Sequence, residues 1–290
     1  MGAHRPVHTS VLISYVTVAV FGLAFGSFLN VCIARLPRQE SIITPRSHCP
    51  RCGRPIRWYD NIPVASFLLL GGCCRDCRER ISLIYPVVEI LTAVVLLAAF
   101  ARYGLSPEFV KYAVLGMLLL ILVFTDLTAR RLPHAVTLLG IGLGLLLSFV
   151  VPVDDRPLEW LLARMGFYPA GTFSSVLGAL AGALLGGGLF YGVGEAFYYL
   201  GGRKKEYLGF GDVMLMLMVG AFLGVPLLLL TMLLGSLLGT LTALPLEIAT
   251  RRFRGYPWPY GSFLGAAAIY ASLDGQALLD AYLRWSGFGS

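Results

Sequence analysis

Val213–Leu246 reads "VMLMLMVGAFLGVPLLLLTMLLGSLLGTLTALPL", 34 residues without a single charge. No soluble domain tolerates such a run, since a hydrocarbon core of about 30 Å is crossed by roughly 20 apolar residues in a helix. At about 1.5 Å per residue, 34 residues make a helix too long for one crossing. Gly224, Val225 and Pro226 supply a natural division, because proline removes a backbone donor and clashes with the preceding turn. The stretch therefore predicts two membrane helices.

The rest of the chain has the same character. Of its 290 residues 57% are hydrophobic and only 13% charged, about half the charge of an ordinary soluble domain. Further apolar runs cover Val11 to Ile33, Ile81 to Ala101 around Glu89, Phe109 to Thr125 with Lys111 near its start, Ala135 to Val151, and Phe173 to Leu200 around Glu195. Ser262 to Leu283 adds a marginal one, interrupted by Asp274 and Asp280. The expectation is an all-α polytopic membrane protein of about eight transmembrane helices. The first run is longer than the apolar core of a signal peptide and lacks a small-residue cleavage site, so it is read as a span.

Basic residues sort by loop. Nine arginines lie between the first two runs, from Arg35 to Arg80; Arg130 and Arg131, then Arg203, Lys204 and Lys205, then Arg251, Arg252 and Arg254 occupy alternate later loops. By the positive-inside rule these loops are cytoplasmic and both termini face outward. The net charge of +7 then answers to an anionic inner leaflet, and no nucleic-acid partner is expected. The predicted organisation is a first helix (1–34), a cytoplasmic loop domain (35–82) and a membrane domain of about seven helices (83–290).

The loop domain carries two C-x-x-C pairs, Cys49/Cys52 in "CPRCG" and Cys74/Cys77 in "CCRDC". Such pairs form the knuckles of a four-thiolate zinc ribbon. Two disulfides are the competing reading, disfavoured in a reducing cytoplasm. Cys73 is a rival ligand to Cys74, but C-x-x-x-C suits a knuckle less well. Four thiolates leave zinc no open position, which makes the metal structural and sends the search for chemistry elsewhere.

Carboxylates within membrane helices are costly and mark function by default, although any one of them can equally be a hydrogen-bonded helix partner. Glu89, Asp126, Glu195, Asp212 and Glu247 qualify. Asp126 ends one run about a turn before Arg130 and Arg131; Asp212 opens another seven residues after Lys205. Two helices of opposite direction thus offer one aspartate each at the same edge. A close carboxylate pair shares a proton, leaving one acid and one base, which is the equipment of an aspartic protease. Gly209 and Gly211 in "GFGD" are expected to give the backbone conformations closed to other residues and to admit an extended substrate. A proton-coupled transporter would place its acids nearer the midplane, and a non-catalytic assembly platform would not need them.

These motifs together resemble the bacterial type IV prepilin peptidases, GxGD-type intramembrane aspartic proteases. "GSFLNVCIARLP" (26–37), the cysteine pairs, "DNIPVASFLLLGGCCRDC" (60–77) with "ISLIYPVVEILT" (81–92), "DLTARRLP" (126–133), "GFGD" (209–212) and "PYGSFLG" (259–265) carry the resemblance in order. It implies Asp126 and Asp212 as the catalytic pair, Gly209 and Gly211 as their loop, and Asn30, Arg35 and Glu89 in supporting roles. It also implies prepilin and pseudopilin substrates cleaved at the cytoplasmic face of the inner membrane, within a type IV pilus or type II secretion apparatus. Many members methylate the new N-terminus with S-adenosylmethionine; a peptidase without that activity is the alternative. Two departures stand out: Met214 occupies a position where the family commonly has lysine, and His134, expected here as a helix cap, stands where it often has Asp or Asn.

Overall fold

The computed structural model describes residues 6–153, 155–169, 171–200, 209–250 and 258–286. The basic clusters at Arg203–Lys205 and Arg251–Arg254 lie outside these. Among the described residues nine α-helices run in the order α1 (Pro6–Arg35), α2 (Ala65–Leu69), α3 (Ile84–Tyr103), α4 (Pro107–Ala129), α5 (His134–Leu147), α6 (Arg156–Arg164), α7 (Thr172–Leu200), α8 (Phe210–Thr250) and α9 (Tyr260–Trp285). Among the described residues there is no strand, only the isolated bridges His48–Pro55 and Cys73–Arg80. The all-helical membrane class holds.

Among the described residues five helices are long and apolar enough to cross a bilayer: α1, α3, α4, α7 and α8. The 14-residue α5 is apolar but shorter, and α9 is diluted by Asp274, Asp280 and Arg284. Against the eight expected spans, α8 counts once in this set although it is two helical segments. They meet at Gly224, whose φ of 72° and ψ of −176° fall outside the helical region. Only glycine takes that conformation at little cost, and Pro226 follows as the first-turn proline of the second segment.

The chain divides into two units, residues 1–109 and 110–290. In the first, α1 packs on α3 through the Gly22-x-x-x-Gly26 stripe. A Cβ on Gly22 would lie 2.6 Å from Ala93 Cα, and one on Gly26 2.5 Å from Glu89 Cα. Lipid supplies no hydrophobic drive between spans, so close backbone approach and dispersion take its place. Tyr15 and Phe100 extend the seam edge to face, centroids 4.9 Å apart.

In the second unit α8 is the central element, with Leu215, Met216, Met218, Phe222 and Leu228 fully buried. Gly182 of α7 faces Gly220, each so close that a Cβ on either would strike the other's carbonyl oxygen. Gly140 and Gly144 of α5 fit against Met218 and Phe222. On its other side α8 meets α9, where Gly235 faces Leu264. Gly265 brings α9 onto α4, a Cβ there lying 2.6 Å from Val123 Cγ2. This last contact sets the end of α4 beside the start of α9.

Candidate active site and metal centre

Asp126 lies one turn before the end of α4, where the Arg130 N–H bonds the Asp126 carbonyl at 3.0 Å with Arg130 at φ 52°. This left-handed closing residue is a common helix stop. Leu132 and Pro133 then lead into α5. Asp212 stands in the first turn of α8, its N–H bonded to the Gly209 carbonyl at 2.9 Å. The two aspartates meet across α9. A Cβ added to Gly261 would lie 3.0 Å from Asp212 Oδ1 and 3.1 Å from Asp126 Oδ2. Both carboxylates thus flank one backbone position, and only a glycine leaves room for them.

Ser262 completes the group. Its backbone N–H donates to Asp126 Oδ2 at 2.8 Å and its hydroxyl lies 2.9 Å from the same oxygen. The Ser262 Oγ also lies 3.1 Å from the Val123 carbonyl oxygen. Asp126 and Ser262 are both buried. Neither Gly261 nor Ser262 is a site residue by sequence reasoning; the only signal was the "PYGSFLG" stretch that opens α9.

The expected role of the glycines changes. Neither Gly209 nor Gly211 has a positive φ. Gly211 is needed for closeness: a Cβ there would come 3.0 Å from Leu132 Cβ, so α8 can begin against the α4–α5 connection. Gly209 lies beside the acid itself, its added Cβ 3.6 Å from Asp212 Oδ2. Met214 is buried and packs as an apolar core residue. His134 is not a cap, since Pro133 holds the N-cap position of α5 without a side-chain bond. The His134 ring instead meets Phe210 edge-on, centroids 5.8 Å apart.

The supporting residues are tie points of the first unit. Asn30 Nδ2 donates to the Tyr85 carbonyl at 3.0 Å, joining α1 to the start of α3. Arg35 donates to the carbonyls of Ser41 and Pro45 at 2.9 and 2.7 Å, folding the loop back on the end of α1. Glu89 Oε2 accepts from the Val64 N–H at 2.8 Å, an anchor at the start of α2 for a residue held at φ 59°.

The cysteine loop folds as two matched knuckles. Cys49 N–H bonds the Arg54 carbonyl and Gly53 N–H bonds the Cys49 carbonyl, both at 2.9 Å. In the second, Cys74 N–H bonds the Glu79 carbonyl at 2.8 Å and Arg78 N–H the Cys74 carbonyl at 3.0 Å. Gly53 and Arg78 take the same left-handed turn, at φ 70° and 59°. The sulfurs of Cys49, Cys52, Cys74 and Cys77 all lie within 4.8 Å of one another, and Cys49 and Cys77 are 3.8 Å apart. Tetrahedral coordination with metal–sulfur bonds of about 2.3 Å puts sulfurs about 3.8 Å apart, so these residues fit a metal ion. Cys73 is outside the cluster. The Cys52 N–H holds the Cys49 thiol down at about 7. Although the Glu79 N–H favours its thiolate, desolvation and the three neighbouring thiols push Cys77 up to about 12. A cation is what allows all four to lose their protons together.

Ion pairs brace the knuckles from outside. Arg54 reaches Asp76 at 2.9 Å and Arg75 holds Asp60 through two nitrogens, the shorter contact 2.6 Å. The Arg75 guanidinium keeps the Asp60 carboxyl below the usual carboxylate range.

A helical membrane protein with an aspartate pair between helix ends, Asp126 buried and Asp212 half-buried, and a separate four-cysteine knuckle defines a narrow class. The chain belongs to the type IV leader peptidase family, whose profile matches residues 113–244. The bacterial peptidase A24 N-terminal domain matches residues 20–103. Among curated proteins, a prepilin leader peptidase/N-methyltransferase of Aeromonas salmonicida is 34% identical over 92% of each chain. Proteins of the same description from Bacillus subtilis, 31% identical over 91% of this chain and 96% of the relative, and from Myxococcus xanthus, 37% identical over 80% of this chain and 63% of the relative, also match. No solved structure gives a significant match.

Proposed function

We propose that the protein is an inner-membrane endopeptidase that removes the basic leader from type IV prepilins and pseudopilins, with Asp126 and Asp212 as its catalytic pair. The observation that carries this reading is the convergence of both carboxylates on Gly261, supported by the descriptions of the relatives. With one proton between them, the charged aspartate takes a proton from water as the water oxygen attacks the scissile carbonyl. The protonated aspartate then gives its proton to the departing amine as the C–N bond breaks. Substrate enters at the cytoplasmic face, where the positive-inside rule puts the helix ends that bear both acids. Gly211 lets α8 begin close enough to Leu132 to keep Asp212 in reach, and Gly209 leaves room beside the Asp212 carboxylate.

Residues 35–82 form a cytoplasmic domain held by a structural zinc on Cys49, Cys52, Cys74 and Cys77, between the first helix (1–34) and the membrane peptidase domain (83–290). Arg35 and Glu89 fasten that domain to α1 and α3, and Asn30 ties those two helices together. The relatives' description supports a second activity, N-methylation of the newly exposed N-terminus, for which S-adenosylmethionine is the donor. One experiment tests both: purified protein is incubated with a prepilin peptide, with and without S-adenosylmethionine, and the products are weighed. Loss of the leader mass supports the peptidase, and a further gain of one methyl supports the transferase. An intact peptide in both arms would overturn the proposal.

A further inference from the structure

The hydroxyl of Ser262 has one proton and two oxygens within its reach. Val123 O lies at 3.1 Å, and Asp126 Oδ2 at 2.9 Å. The Ser262 backbone N–H, bonded to the same Asp126 oxygen at 2.8 Å, is present whatever the side chain. The group is buried, so a polar atom left without a partner there would carry its full desolvation cost. We propose that Ser262 is the positioning residue of the aspartate pair, holding Asp126 in one place through both of the protonation states its chemistry requires. The inference rests on the peptidase reading.

The geometry accounts for both states. When Asp126 is charged, the Ser262 O–H donates to Oδ2 beside the backbone N–H, giving one carboxylate oxygen two donors from one residue. When Oδ2 carries a proton, that proton is donated to Ser262 Oγ, and the hydroxyl proton turns to Val123 O. Neither state leaves a buried donor unpaired, and in neither must the carboxyl rotate away from Gly261 and Asp212. A rotating hydroxyl is required for this. Alanine keeps the backbone bond but not the exchange; threonine keeps both. Charge-assisted bonds are roughly twice as strong as neutral ones, so loss of the hydroxyl weighs on turnover and not on the capture of substrate.

The test uses the purified full-length protein in detergent with a prepilin peptide, comparing wild type, Ser262→Ala, Ser262→Thr and Ser262→Cys. Wild-type cleavage is the first reading; its absence overturns the peptidase proposal itself and is thereby distinguished from failure of this one. Given cleavage, Ser262→Ala is expected to lower kcat about tenfold with KM within about twofold and an unchanged melting temperature. Ser262→Thr is expected to recover most of the rate. Ser262→Cys, of nearly serine size and a weaker donor, should fall between and serves if the threonine methyl does not fit. Wild-type kcat in the alanine variant overturns the inference, as does a loss confined to KM. A folded threonine or cysteine variant no faster than alanine overturns it too.

Discussion

The Asp155 carboxylate accepts a hydrogen bond from the Val225 N–H at 3.0 Å, joining residues 70 positions apart. Its other oxygen accepts from Leu158 N at 3.3 Å, the N-cap bond of α6. One side chain, only 2% exposed, therefore caps two helix starts: α6, and the second segment of α8 immediately after the Gly224 break. Helix starts leave orphan N–H groups that a carboxylate satisfies well. Asp155→Ala is expected to destabilise the protein by about 3 kcal/mol, since a buried donor and a cap are lost together. Asp155→Asn should recover only part of this, because each oxygen has its own donor and an amide offers one acceptor. Thermal unfolding in detergent measures both; an asparagine variant as stable as wild type would refute the double cap.

Asp126→Asn and Asp212→Asn each remove the charge and the proton exchange while preserving shape. Each is expected to lower leader cleavage by at least about a hundredfold, read as the gel shift of a co-expressed prepilin, with normal membrane insertion. An assembly platform or a scaffold would tolerate these isosteric changes, so full processing by either variant counts against the catalytic pair.

Much of this arrangement is legible in the sequence where one local pattern decides the outcome. Gly224 and Pro226 punctuate the longest apolar run, and the break falls there. The C-x-x-C pairs fix two knuckles by short-range hydrogen bonds, so spacing alone selects Cys74 over Cys73. The aspartates stand out because charge is rare in apolar helices. What escapes is produced by packing. Gly261 and Ser262 reach Asp126 across more than 130 residues because Gly265 lets α9 close on α4, and nothing within the stretch itself announces that. Asp155 sits among loop residues that look solvent-facing, yet it is buried because the broken α8 needs an acceptor. The glycines of "GFGD" were legible as necessary, but the reason is the space that Leu132 occupies and not an unusual φ. Met214, the departure from the family pattern, is buried in the first turns of α8 and brings no charge near Asp212.

The metal centre yields a prediction that separates adjacent residues. Replacing Cys49, Cys52, Cys74 or Cys77 by serine is expected to lower the metal content from about one ion per chain to near zero, because a four-ligand knuckle tolerates no missing thiolate. Cys73→Ser should retain the ion. Elemental analysis of the purified variants, together with proteolysis of the loop, checks this. A Cys73 variant that loses its metal while Cys74→Ser keeps it would reassign the ligand set.

Gly261 gives the sharpest steric test of the aspartate pair. A methyl there would meet Asp212 Oδ1, Leu132 Cδ1 and Asp126 Oδ2 at 3.0 to 3.1 Å. None of these can yield without moving a carboxylate or the Leu132 packing on which the start of α8 rests. Overpacking of this kind costs about 1–3 kcal/mol, and a carboxylate displaced by a few tenths of an ångström loses its alignment with water and substrate. Gly261→Ala is therefore expected to lower kcat by about tenfold or more, a larger effect than its loss of stability would explain. The control is Gly142→Ala in α5, where an added Cβ meets nothing within 4 Å. Alanine there should leave cleavage unchanged and raise stability by up to about 1 kcal/mol, the usual helix preference over glycine. Equal cleavage rates in the two variants, with both folded, would mean that the carboxylates do not depend on the space Gly261 leaves them.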